Sequence, residues 1–175
     1  MKILKAAQIG PLGGAGLASG QVKMVAEVQS WKKEGWLILS KFFPWENWQQ
    51  AGDWLSDADV RVVCGYSNGG CTATWIPGYG EYRIPTRLDL LIGLDPTIWL
   101  SRTPIPPNVK KAVCYYNGNY IPWFSQFVGH GKYSLTPDNK TTNLITKTIY
   151  DWHGNVDKNP QRQAEIYSMI KALMK

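Results

Sequence analysis

Three cysteines, Cys64, Cys71 and Cys114, are all that 175 residues contain, and no two stand in a CxxC pair. That is too few for a disulfide framework and the wrong spacing for a thiolate metal site, so the cysteines read as small core residues of a reduced chain. Histidine is scarcer still, with only His130 and His153. Charged residues make up 18% of the chain against 44% hydrophobic, a balance too apolar for intrinsic disorder. Long hydrophobic runs are missing: none reaches the roughly 18 residues a membrane span needs. The opening Met1–Gly10 has a lysine-bearing start, but Gln8, Gly10, Pro11, Gly13, Gly14 and Gly16 break what would be the apolar centre of a signal peptide. The expectation is a cytoplasmic protein without a transmembrane segment.

The net charge is +6, from nineteen Lys and Arg against thirteen Asp and Glu. These cations are scattered, with Lys32-Lys33 and Lys110-Lys111 the only doublets, so no basic stripe forms and no nucleic-acid partner is expected. A chain of this length predicts one domain over residues 1–175, large enough to bury a core without a metal or disulfide.

Short apolar runs alternate with amphipathic stretches, the rhythm of a parallel sheet with crossover helices. Strands are expected over Ile3–Ile9, Trp36–Leu39, Val60–Cys64, Leu88–Leu94, Ala112–Tyr116 and Leu144–Ile149. Helices are expected over Gln21–Glu34, carrying Val22, Val25, Ala26, Val28 and Trp31, and over Trp45–Leu55. A terminal helix should start at an Asn159 cap with Pro160 in its first turn and present Ile166, Met169, Ile170 and Leu173 on one face. Residues 103–108 and 117–142 resist the alternation and read as loops or a small cap. The fold class is therefore α/β, an open sheet of about six mostly parallel strands with helices on both faces.

One motif carries chemistry. Gly65-Tyr66-Ser67-Asn68-Gly69-Gly70 follows the β-branched strand Val62-Val63-Cys64 and precedes small residues suited to a helix. Gly-x-Ser-x-Gly in that context forms a sharp strand-to-helix turn that lifts the serine hydroxyl above the carboxyl edge of the sheet. A serine hydroxyl needs a base to take its proton and an acid to orient that base. His153 is the expected base, since it follows the last strand and precedes the terminal helix; His130 lies in the irregular segment and is left as a cap or substrate-contact residue. Asp95 is the expected acid because it ends the apolar run Leu90–Leu94, one helix and one strand beyond Ser67. Asp151 and Asp157, which flank His153, are its rivals, Asp157 also reading as a support for the loop or for the final helix. Backbone N–H groups of Asn68, after the nucleophile, and Leu12, in the loop Gly10-Pro11-Leu12-Gly13-Gly14, are the expected oxyanion donors, Pro11 having no N–H. The same loop lacks the Lys-Ser/Thr of a phosphate-binding loop, so a nucleotide is not expected.

With strand, Gly-Tyr-Ser-Asn-Gly-Gly, strand-Asp95-Pro96 and strand-loop-His153 in this order, nearly the whole chain resembles the α/β-hydrolase superfamily, near its small lipases and esterases. Pro106-Pro107-Asn108-Val109, the strand after it and His153 with Val156-Asp157 also resemble compact bacterial or phage-encoded members. The chain departs from the lipase pattern where Gly10-Pro11 replaces the His-Gly that often opens the first loop. The resemblance implies a minimal hydrolase with Ser67 as nucleophile, His153 as base, Asp95 as orienter, no metal and no organic cofactor. Its length leaves little room for a lid. The implied reaction is cleavage of a carboxylic ester on a small-molecule or lipid-like substrate through an acyl-enzyme. Thioester, amide or acyl-transfer chemistry would use the same groups. The alternative is a catalytically idle module whose nine Trp and nine Tyr hold glycan or lipid.

Overall fold

The computed structural model of the chain describes residues 1–11, 19–78, 87–97, 104–118 and 129–175. Six strands form one all-parallel sheet: β1 (Lys2–Gly10), β2 (Trp36–Pro44), β3 (Val60–Tyr66), β4 (Leu88–Leu94), β5 (Val109–Asn117) and β6 (Asn143–Ile149), in the order β2-β1-β3-β4-β5-β6. The helices are α1 (Ser19–Ser30), α2 (Trp48–Leu55), α3 (Asn68–Thr72), α4 (Trp75–Gly78) and α5 (Pro160–Lys171). None is long and apolar enough to cross a membrane.

Strand order dictates where the helices go. From β1 the chain steps outward to β2, then returns past β1 to β3 and continues in the opposite direction. Right-handed crossovers made in opposite directions put their helices on opposite faces. Accordingly Met24 and Val28 of α1 share one core with Ile166 and Ile170 of α5, against Leu4, Ala6, Val62, Cys64, Leu90, Ile92 and Val113. Ala51 and Leu55 of α2 and Ile76 of α4 share the other with Ala7, Ile9, Val63, Leu91 and Ala112. The period-two alternation of each strand divides it between the two cores. β3 from Val62 and β4 from Leu90 are buried on both sides, which is why those stretches carry no charged or polar side chain before the strand ends at Tyr66 and Leu94.

Several expected elements are redrawn at their ends: the second helix starts at Trp48, after a 3-10 turn over Trp45–Asn47, β3 runs on to Tyr66, and β5 spans Val109–Asn117 rather than Ala112–Tyr116. β2 extends to Pro44 beyond Leu39, because Ser40 and Lys41 break the apolar run without breaking the register, which pairs Lys2 with Trp36 through Gly10 with Pro44. The first helix spans Ser19–Ser30 rather than Gln21–Glu34, and buries Gln21, Met24 and Val28 while Val22 and Ala26 stay exposed. The Asn159 cap is present: its side chain accepts from the N–H groups of Gln161 and Arg162, with Pro160 in the first turn. All three cysteines are buried thiols.

Candidate active site

Because the sheet is parallel, every strand ends at the same edge, and the order reverses between β1 and β3. In open α/β sheets that reversal opens a crevice outside the carboxyl ends of the strands. Ser67 stands there, between β3 and α3. Its backbone has φ 56° and ψ −121°, a region costly for any side-chain-bearing residue. The conformation is held from several sides: Ser67 N–H donates to the Leu94 carbonyl (3.0 Å), and the Ser67 carbonyl accepts from Gly70 (2.9 Å) and Thr97 (3.3 Å).

The glycine spacing follows from this turn. A Cβ on Gly65 would overlap the Gly69 carbonyl, and one on Gly69 would overlap the Ile9 carbonyl at the end of β1. The start of α3 packs that closely onto the end of β3 and onto the neighbouring β1, and neither obstacle is a side chain that could swing away.

Ser67 Oγ lies 3.0 Å from His153 Nε2, and His153 Nδ1 lies 2.7 Å from Asp95 Oδ2. A carboxylate only accepts, so Nδ1 carries the proton, and the lone pair on Nε2 faces the serine hydroxyl. Asp95 is fully buried. Its other oxygen, Oδ1, accepts from the backbone N–H of Asn117 (3.0 Å) and of His130 (2.8 Å). Asp95 itself has φ 43°, and its N–H donates to the Tyr115 carbonyl at 2.7 Å. Ser67, Asp95 and His153 are thus brought together in one hydrogen-bonded line.

The two rival carboxylates are engaged elsewhere. Asp151 pairs with Arg162 (2.6 Å) and accepts from Asn159 Nδ2 (3.0 Å). Burial alone would raise its carboxyl, but these two partners outweigh that and hold it below the ordinary range. Asp157 accepts from the N–H groups of Gly20 (2.9 Å) and Gln21 (3.3 Å) at the start of α1. Its support thus goes to the first helix, whereas the last helix takes its cap from Asn159.

Residue by residue, Asn68 directly follows Ser67 and opens α3. Leu12 lies outside the described residues. His130 has φ 67°, binds Asp95 through its backbone, and its Nδ1 is 2.8 Å from the Asn117 carbonyl. Among the described residues no three His, Cys, Asp or Glu side chains are grouped to hold a metal ion.

Sequence reasoning passed over four contributors. Tyr66 stacks on the His153 ring (centroids 5.2 Å apart, planes at 29°) and donates its hydroxyl to the His153 carbonyl at 2.8 Å. Burial pushes the Tyr66 phenol well up, so it stays a donor. Gly129, with φ 74°, lies so close to Asp95 that a Cβ would overlap the carboxylate. Asn117 supplies an N–H to Asp95, and its side-chain amide reaches the Asp151 carbonyl. Arg162 grips the His153 loop twice, at the Asp151 carboxylate and at the Val156 carbonyl (2.7 Å). The usable signals were a glycine before a histidine in an irregular stretch and an arginine on the inner stripe of an amphipathic helix.

Comparison with known protein families, with curated proteins and with solved structures finds no match.

Proposed function

We propose that the chain is a serine hydrolase of the α/β-hydrolase type that cleaves carboxylic esters through an acyl-enzyme. The observation that carries this reading is the line Ser67 Oγ–His153 Nε2–Asp95, with links of 3.0 and 2.7 Å, set on a strained turn at the carboxyl edge of a parallel sheet. A strained serine in this contact is costly for a protein that only binds, because such strain persists where the mechanism uses it.

In this reading Ser67 Oγ attacks the ester carbonyl as His153 Nε2 takes its proton. The imidazolium is stabilised by Asp95, whose Oδ1 is already saturated by two backbone N–H groups and therefore cannot turn away. His153 then protonates the departing alcohol. Water enters, gives its proton to the same nitrogen and releases the acid by attacking the acyl carbon, after which Ser67 recovers its proton. The Asn68 N–H, directly after the nucleophile, is the assigned donor to the developing oxyanion, and Leu12 the second by sequence position.

The test is labelling of purified protein with a fluorophosphonate, peptide mapping, and hydrolysis of p-nitrophenyl butyrate, beside folded Ser67→Ala. Labelling at Ser67 and loss of both signals in the variant are expected. Hydrolysis retained by Ser67→Ala, or no labelling of folded wild type, overturns the reading.

A further inference from the structure

Asp157 is almost fully buried, and nothing in the proposed reaction uses it. Its Oδ2 accepts from Gly20 and Gln21, two of the first-turn N–H groups of α1 that have no partner within the helix. The approach is close enough that a Cβ on Gly20 would overlap the Asp157 carbonyl. Gln163 Nε2 of α5 donates to that carbonyl at 2.7 Å.

The residue next to this cap reaches the site. Gln21, buried, spans the ends of β1 and β3 by donating Nε2 to the Ile9 carbonyl (2.9 Å) and the Cys64 carbonyl (3.0 Å). Ile9 directly precedes Gly10 of the glycine-rich stretch, and Cys64 precedes Gly65 of the serine turn. At the other end, Asp157 lies four residues after His153, joined through the 3-10 turn His153–Asn155, in which the Val156 N–H donates to the His153 carbonyl at 3.2 Å. One run of hydrogen bonds therefore links the histidine loop, the first turn of α1 and the two strand ends beneath Ser67.

The geometry points to Asp157 as a positioning residue: by capping α1 it holds the His153 loop in register with the strand ends that carry the serine turn and the glycine-rich stretch. This rests on the serine-hydrolase reading. Asp157→Ala leaves the two N–H groups without their acceptor and frees the loop on that side. Displacement of a reacting group by about 1 Å costs up to about a hundredfold in rate, chiefly in turnover. Asp157→Asn keeps an oxygen toward Gly20 and Gln21, and puts its NH2 where Oδ1 has no hydrogen-bond partner among the described residues.

The experiment compares the full-length wild type, Asp157→Ala and Asp157→Asn for kcat and KM on p-nitrophenyl butyrate. It also records the low-field proton resonance of His153 Nδ1 hydrogen-bonded to Asp95. For Asp157→Ala the expected results are a kcat lowered about tenfold or more with KM within about twofold, and a low-field resonance that weakens through faster solvent exchange. Asp157→Asn should keep kcat within about threefold. A folded Asp157→Ala with unchanged kcat and resonance, whatever its melting temperature, overturns the proposal. If wild type shows the resonance but no hydrolysis, the hydrolase reading fails and the resonance in the variants alone decides the positioning role. If Asp157→Ala does not fold, Gln163→Ala, which loosens the same connection from the partly exposed side, must shift these readouts in the same direction; no shift overturns the proposal.

Discussion

Replacing Asp95 by Asn tests the site through its hydrogen-bond directions alone. The side-chain shape is nearly unchanged, and the two ends of the amide are told apart by the protein. Oδ1 faces two backbone donors, Asn117 N–H at 3.0 Å and His130 N–H at 2.8 Å. Turning the NH2 toward them would leave buried donors unpaired, at about 1–3 kcal/mol each. The amide oxygen must therefore take that position, and the NH2 must point at His153 Nδ1. That nitrogen then accepts, its proton moves to Nε2, and Nε2 presents a hydrogen instead of a lone pair to Ser67 Oγ, 3.0 Å away. A histidine in that tautomer cannot take the serine proton. The expected loss in kcat is about 10⁴-fold, or about 5.5 kcal/mol of barrier. The assay is steady-state hydrolysis of p-nitrophenyl butyrate with fluorophosphonate labelling of Ser67, alongside a thermal melt, which should change little because both backbone bonds to the side chain survive. An Asp95→Asn protein that keeps kcat within about tenfold of wild type would refute the argument, because the tautomer would then not be under Asp95's control.

Ser67→Gly should melt above Ser67→Ala, although at ordinary sites alanine is favoured by about 0.4–1 kcal/mol, because only glycine adopts φ 56°, ψ −121° without strain; the opposite order in calorimetry contradicts the strained turn. Gly69→Ala puts a methyl group onto the Ile9 carbonyl and should cost more than about 3 kcal/mol in a urea melt, a result near zero showing that the turn can open. Burial raises the Asp157 carboxyl even though Gln21 and Gly20 donate to it. The native state therefore holds that proton more tightly than the unfolded chain, and the associated stability, present at low pH, is lost as pH rises through the raised native value. An amide in place of that carboxyl has no proton to lose, so the melting temperature of Asp157→Asn relative to wild type should climb from about pH 4 towards neutrality; a constant difference across that window refutes it.

The strands were legible wherever burial is two-sided. β4 matches its expected span from Leu88 to Leu94, because a central parallel strand is apolar at nearly every position and its end is marked by a carboxylate. The edge strand β2 extends past its expected end because Lys41 interrupts the apolar run on the exposed side and Ser40 interrupts it on the buried side, where its hydroxyl donates to the Ala6 carbonyl at 3.0 Å, while the backbone ladder continues. Asp95 was legible for the same reason as β4. The acid's surroundings were not: the His130 N–H and the clearance at Gly129 come from residues more than thirty positions away, with positive φ that no hydropathy pattern marks. α1 shows a further limit. Val22 and Ala26 fit an apolar helical spacing, yet the buried stripe runs through polar Gln21, whose amide is used on strand carbonyls.

The spacing of the sheet explains why the histidine loop is tied down at several points. Ser67 and Asp95 leave adjacent strands, about 4.8 Å apart, so the turns that present them begin almost in place. His153 leaves β6, two strands beyond β4 and about 10 Å to the side, and its chain must come back across the end of β5 to reach Asp95. A loop making that excursion gains little from the sheet itself and has to be fastened along its length. The fastenings come in sequence: Asn117 at the end of β5 holds the Asp151 carbonyl, Arg162 holds the Asp151 carboxylate and the Val156 carbonyl, Tyr66 holds the His153 carbonyl, and Asp157 holds the start of α1. The histidine's position is thus set from α5, β5, β3 and α1 together. Loosening any one of these ties should change turnover before it changes binding, because each acts on the direction of a single imidazole ring.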